Sequence, residues 1–161
     1  MKILFLSSGP RCPSARFRIL PFVPKFREDG HYCVVAHSLP EKYDHFPWLG
    51  FRPSQLLKRG IRHLHAILAR LQRFDVVFVD REIFDNESSD MEERFRKLCR
   101  TFVLDLDDAV FLRYPEKFER LLQRCLIFAV CGNHFLEKKL ASLIPRPHMF
   151  RHVSIRISIC S

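Results

Sequence analysis

KILFLSSGPRCPSARFR, residues 2–18, decides how this chain is read. An apolar, strand-like run ends at Ser7, Gly9 and Pro10 break it, and a helical pattern opens at Ser14. Strand, tight turn and helix in that order are the first half of a βα unit. The turn lacks the three spaced glycines of a dinucleotide fingerprint, because only Gly9 is present. Ser14 is the expected N-cap. Arg16 and Arg18 then fall in the first helical turn, where the helix dipole disfavours positive charge. A bound anion would offset that cost. Guanidiniums that reach solvent or pair with acids elsewhere would do so equally. Gly9, Ser14, Arg16 and Arg18 are therefore candidate phosphate- or acceptor-binding residues.

The same unit repeats along the chain. Apolar runs at 31–37 (HYCVVAH), 75–80 (DVVFVD), 101–108 (TFVLDLDD) and 126–132 (LIFAVCG) read as further strands. Helical periodicity lies between them, at 15–29 with interruptions at Pro21 and Pro24, then at 54–73, 88–100, 115–124 and 133–142. Strands that are apolar throughout call for cover on both faces. The expected fold is α/β, a Rossmann-like parallel sheet with helices on both faces. In the helix at 54–73, Leu56, Leu57, Ile61, Leu64, Leu68 and Leu71 make one apolar face, expected to pack on the sheet. Phe46, Trp48 and Phe51 give the preceding loop an aromatic character that suits satellite core packing, or a platform for a sugar or lipid.

The whole chain has 161 residues and a formal charge of +9, from 27 basic and 18 acidic side chains. Its apolar runs are strand-sized, too short to span a bilayer, and the opening segment is too short for a secretory leader. A cytoplasmic location is expected. The six cysteines form no CxxC spacing and sit in apolar runs, as small buried hydrophobes do. The excess of positive charge suits phosphorylated ligands or a peripheral, anionic membrane surface. The basic residues are dispersed and follow no nucleic-acid-binding signature, so no nucleic-acid partner is expected. No HExxH, P-loop or Ser-His-Asp order is present, and neither a cofactor nor a metal is expected.

Ligands of such sheets lie outside the carboxyl ends of the strands. There the sequence places its least ordinary polar residues. Asp105, Asp107 and Asp108 crowd the end of the fourth run, and a buried cluster of that kind needs cations or donors. Metal binding, a phosphatase-type nucleophile, contact with a sugar hydroxyl and pairing with arginines all remain open for it. Arg81 and Glu82 follow the third run, with an anchoring ion pair the simpler role for Glu82. Asn133 follows Gly132 and suits a helix cap or a ligand contact. His63 and His65, two apart on a helix, point in different directions and are poor metal partners.

Taken together, KILFLSSGP, PSARFRIL, DVVFVDREIF, FVLDLDDAVF and VCGNHFLEKKLA resemble the amino-terminal half of a group 1 (family 4) glycosyltransferase. The resemblance covers residues 1 to about 142 and implies one half of a GT-B architecture. It implies transfer of a hexosyl group from a nucleotide-sugar to a sugar or lipid-linked acceptor, with this half on the acceptor side. Asp107 and Asp108 would then be catalytic, and Gly9, Ser14, Arg16, Arg18, Arg81, Glu82 and Asn133 would bind acceptor or phosphate. The nucleotide-sugar would need a second domain of roughly 200 residues. Residues 143–161 depart from the family as a basic tail that reads as truncated or frame-shifted. A lone acceptor half also exposes the face meant for its partner, which predicts self-association. A non-catalytic module that pairs with a separate donor domain, and an Asp-dependent hydrolase, are the alternatives.

Overall fold

The computed structural model describes residues 1–106, 109–125, 128–143 and 154–157. Strand β1 (Lys2–Ser7) alternates its side chains, so Ile3 and Phe5 face one layer while Leu4 and Leu6 face the other. It pairs in parallel with β2 (Tyr32–His37) on one side and β3 (Val76–Asp80) on the other. Beyond β3 lie β4 (Thr101–Leu106), β5 (Phe128–Cys131) and β6 (Ser154–Ile157), also parallel. The order is β2-β1-β3-β4-β5-β6. The fold is the α/β, Rossmann-like parallel sheet that the apolar runs predict, with β6 added from the segment read as a basic tail.

Two short helices, α1 (Pro13–Arg18) and α2 (Phe22–Glu28), connect β1 to β2 and close a small core of Ile3, Phe5, Ile19, Val23 and Cys33. Pro21 separates them as expected, whereas Pro24 sits in the first turn of α2, where its missing N–H costs nothing. Gly30, at a φ of 80°, ends this excursion as a left-handed residue. The opposite layer contains α3 (Phe51–Gln72), α4 (Asp90–Arg96) and α5 (Pro115–Arg124). Ala66, Ala69, Phe95, Phe118 and Leu121 from these helices meet Leu4, Leu6, Val77, Val79 and Leu104 in the larger core. Leu136 and Leu140 of α6 (His134–Leu143) complete it.

One expectation is reversed. The leucines of α3 do not pack on the sheet: Leu56, Leu57, Leu64 and Leu68 are exposed, and Leu71 most of all. The buried stripe is Ser54, Lys58, Arg62, Ala66 and Ala69. Small residues let the carboxyl half of α3 approach the strands closely. Its amino half crosses the strand ends, where carbonyl groups need donors that leucine does not have. The aromatic loop before α3 is also not core, since Trp48 is 79% exposed, stacked on Phe46 at 5.7 Å. Cys12, Cys33, Cys125 and Cys131 are free and buried, and burial pushes the Cys125 thiol up to about 12. Among the described residues, no helix is long and apolar enough to cross a membrane.

Candidate functional site at the strand ends

The chain leaves β1 toward β2 on one side and reaches β3 on the other, so the direction of winding switches between β1 and β3. A crevice opens at such a point. Its two lips are the turn after β1 and the turn after β3, and Asp80 ties them together. The Asp80 carboxylate accepts the Ser8 N–H at 3.2 Å and the Ser14 hydroxyl at 2.9 Å. Ser14 is therefore not the N-cap. Pro13 occupies the first helical position, Cys12 is the cap residue but makes no side-chain bond to the helix, and the Ser14 hydroxyl turns to Asp80 at the end of β3.

The three arginines of the opening stretch meet different ends. Arg11 reaches Glu41 at 3.1 Å and Asp44 at 3.4 Å in the loop after β2. Arg18 grips both oxygens of Asp105, with its Nε at 2.7 Å, and Asp105 is only 2% exposed. This fork-to-fork pair joins the first helix to the end of β4. Arg16 stays at the surface, its guanidinium 5.7 Å from the Phe17 ring. The expected conflict with the helix dipole does not arise: α1 ends at Arg18, so Arg16 and Arg18 stand in its last turn, where the dipole favours cations, and Arg18 is paired with a buried carboxylate of the protein itself.

Gly9 is required by geometry. Its φ is 145°, and a Cβ there would meet Glu41 Cγ at 2.6 Å. The loop after β2 therefore lies directly on the first turn. Arg81 adopts a left-handed conformation with φ of 63°, unusual for a side-chain-bearing residue. Its N–H donates to the Asp105 carbonyl at 2.9 Å. Glu82 is buried beside it in an ion pair with Lys42 at 2.8 Å, the anchoring role expected for it. Asn133 accepts the Leu136 N–H at 2.9 Å and so caps α6. Asp107 and Asp108 lie outside the described residues.

Sequence reading missed the cations below this surface. Arg62 donates to the carbonyls of Ser7 at 2.6 Å and Ala36 at 2.8 Å, finishing the ends of β1 and β2. Burial pushes its pKa down to about 10, opposed by the charges of Asp80 and Glu92. Lys58 donates to the Lys42 carbonyl at 2.7 Å. Lys117 pairs with Glu92 at 3.2 Å and bonds the Phe84 carbonyl, while Glu92 accepts the Ile83 N–H. The signal available was the four-residue spacing of Ser54, Lys58 and Arg62, a second stripe on the helix opposite its leucines. Among the described residues, Lys42, Lys58, Arg62 and Lys117 balance Asp80, Glu82, Glu92 and Asp105 in the interior.

Above this charged floor lies a cavity of about 450 Å³, bounded by Arg11, His37, Pro40, Glu41, Phe46 and His65 among others. It falls within the range of about 300–1,000 Å³ usual for ligand sites. Burial and the neighbouring Arg62 lower the pKa of both histidines, that of His65 to about 4, so both are neutral near pH 7. His37 Nδ1 lies 3.2 Å from the Ser7 hydroxyl, and His65 Nδ1 is buried without a hydrogen-bond partner. Burial works to raise the Glu41 pKa, but the Arg11 N–H and guanidinium outweigh it and keep Glu41 ionised. His63 points elsewhere, to Arg94 at 2.9 Å. Compared with known proteins, the chain matches no family model, no curated protein and no solved structure.

Proposed function

We propose that the chain is the acceptor-side half of a nucleotide-sugar-dependent glycosyltransferase of GT-B architecture, acting in hexosyl transfer together with a donor-binding domain. The observation that carries this reading is the cavity at the strand ends. It offers a carboxylate acceptor, two neutral imidazoles that both donate and accept, and an apolar wall of Leu39, Pro40 and Ile61. Those groups suit a polyol with an apolar ring face better than a nucleotide, whose phosphates would meet the ionised Glu41. The motif-bearing turns SARFR, DREIF and the start of DLDD converge on the same edge of the sheet, which supports the resemblance in sequence.

Titration of the isotope-labelled chain with a panel of methyl hexosides, and separately with uridine diphosphate glucose, tests the proposal by NMR. At least one hexoside is expected to shift the amides of Gly9 and of His37 to Glu41. Uridine diphosphate glucose should leave them in place. Glu41→Gln should weaken the hexoside about tenfold, the loss of one hydrogen bond to a charged acceptor. A chain that binds the nucleotide-sugar here and no hexoside is not an acceptor module.

A further inference from the structure

The outer face of α3 has no partner within the described chain. Leu71 is 73% exposed, Leu56 67%, Leu64 53% and Ile67 50%. Their spacing brings them, with Leu57, Gly60 and Leu68, onto one continuous stripe from Leu56 to Leu71, about 24 Å of helix. Single exposed leucines are common on protein surfaces, whereas a contiguous apolar stripe of this length marks an interaction site.

The border of the stripe names the partner. Arg52, Arg59, His63 and Arg70 follow one another at steps of seven, four and seven, which aligns them along one edge of the leucine row. All four are exposed. From Phe51 to Phe74 the sequence contains no acidic residue. The neighbouring helix adds another exposed cation, Arg94, hydrogen-bonded to His63. A second copy of this chain laid against the stripe would bring two arginine rows together, a repulsive arrangement with no carboxylate on either helix to relieve it. An anionic lipid surface meets both features at once, leucines entering the acyl boundary and guanidiniums remaining at the phosphates. Trp48, exposed just before the helix begins, is of a residue type that favours that boundary.

We propose that the outer face of α3 docks the protein in the plane of a membrane leaflet rich in anionic phospholipids. The inner face holds the helix to the strand ends through Arg62 and to the loop after β2 through Lys58, so docking needs no rearrangement of the fold. This inference stands on α3 and its immediate neighbours and does not depend on the sugar-binding reading of the cavity.

Flotation of the intact chain with phosphatidylglycerol–phosphatidylcholine vesicles, against phosphatidylcholine alone, tests it. The chain should float with the anionic vesicles, at least about tenfold more weakly with the neutral ones, and less as salt is raised. Leu64→Glu with Leu71→Glu should abolish flotation while circular dichroism shows an unchanged fold. Arg70→Gln, which leaves every leucine in place, should weaken binding to anionic vesicles about fivefold. No flotation with either vesicle, or equal flotation with both, overturns the proposal. So does an altered mass by light scattering in the leucine variants with flotation intact, which would make a second copy the occupant.

Discussion

The inner face of α3 buries Ser54, Lys58, Arg62, Ala66 and Ala69 within the protein, and the outer face presents Leu56, Leu64, Ile67 and Leu71 to solvent. One helix thus buries cations and exposes leucines. The contrast teaches that the hydrophobic pattern of a helix reports where apolar surface is needed, and that this place need not be the core of the same domain. Where a helix crosses strand ends, unmet carbonyls outweigh the gain from burying leucine. An orphaned buried carbonyl costs about 1–3 kcal/mol, and Arg62 satisfies two of them.

The comparison can be broken most forcefully from inside. Arg62→Met should destabilise the fold by about 3–5 kcal/mol in urea titration, since it strips the donors from Ser7 and Ala36 and leaves Asp80 without its buried counter-charge. A loss below about 1 kcal/mol would mean that water replaces the guanidinium and that the inner face is not what fixes the helix.

His65 lies on the border between the faces and gives an intermediate effect. Its pKa falls to about 4 in the folded protein, chiefly through burial and then through Arg62 and His37. The unfolded chain therefore takes up a proton that the folded state resists. The stability linked to His65 is complete above about pH 6.5 and is lost as pH falls toward 4. His65→Phe should flatten this part of the urea midpoint against pH, with the smaller contribution of His37 remaining. An unchanged profile would place His65 in water rather than against the sheet.

The smallest effect belongs to the outside. Leu71→Glu should change folding stability by less than about 0.5 kcal/mol, whatever it does to vesicle binding. A large loss in the isolated chain would show that the stripe is part of the protein's own core and would end the contrast.

At the strand ends, legibility divides along the same line. Glu82 as an anchor and Asn133 as a cap followed from local chemistry, because each needs only its own turn and one neighbour. The fate of Arg18 did not. Its partner Asp105 is 87 residues away in sequence, and only the pairing of β3 with β4 brings the end of that strand beside α1. Ser14 suited an N-cap by position, yet Asp80, 66 residues on, takes its hydroxyl. Polar partners at such distances leave no periodic trace in the chain.

By itself the sequence determined the alternation of strand and helix and the parallel, doubly covered sheet. Those depend on residue periodicity, apolar runs and glycine or proline breaks, all of which act within a few residues. Only the tertiary structure decided which face of α3 turns inward, which carboxylate meets which cation, and where a cavity opens beside His37 and His65. Those outcomes depend on which strand ends are brought together and which carbonyls they leave unmet. The opening arginines show the difference. Three cations in one turn look alike in sequence, and the folded chain gives one to a loop, one to a buried aspartate and one to the surface.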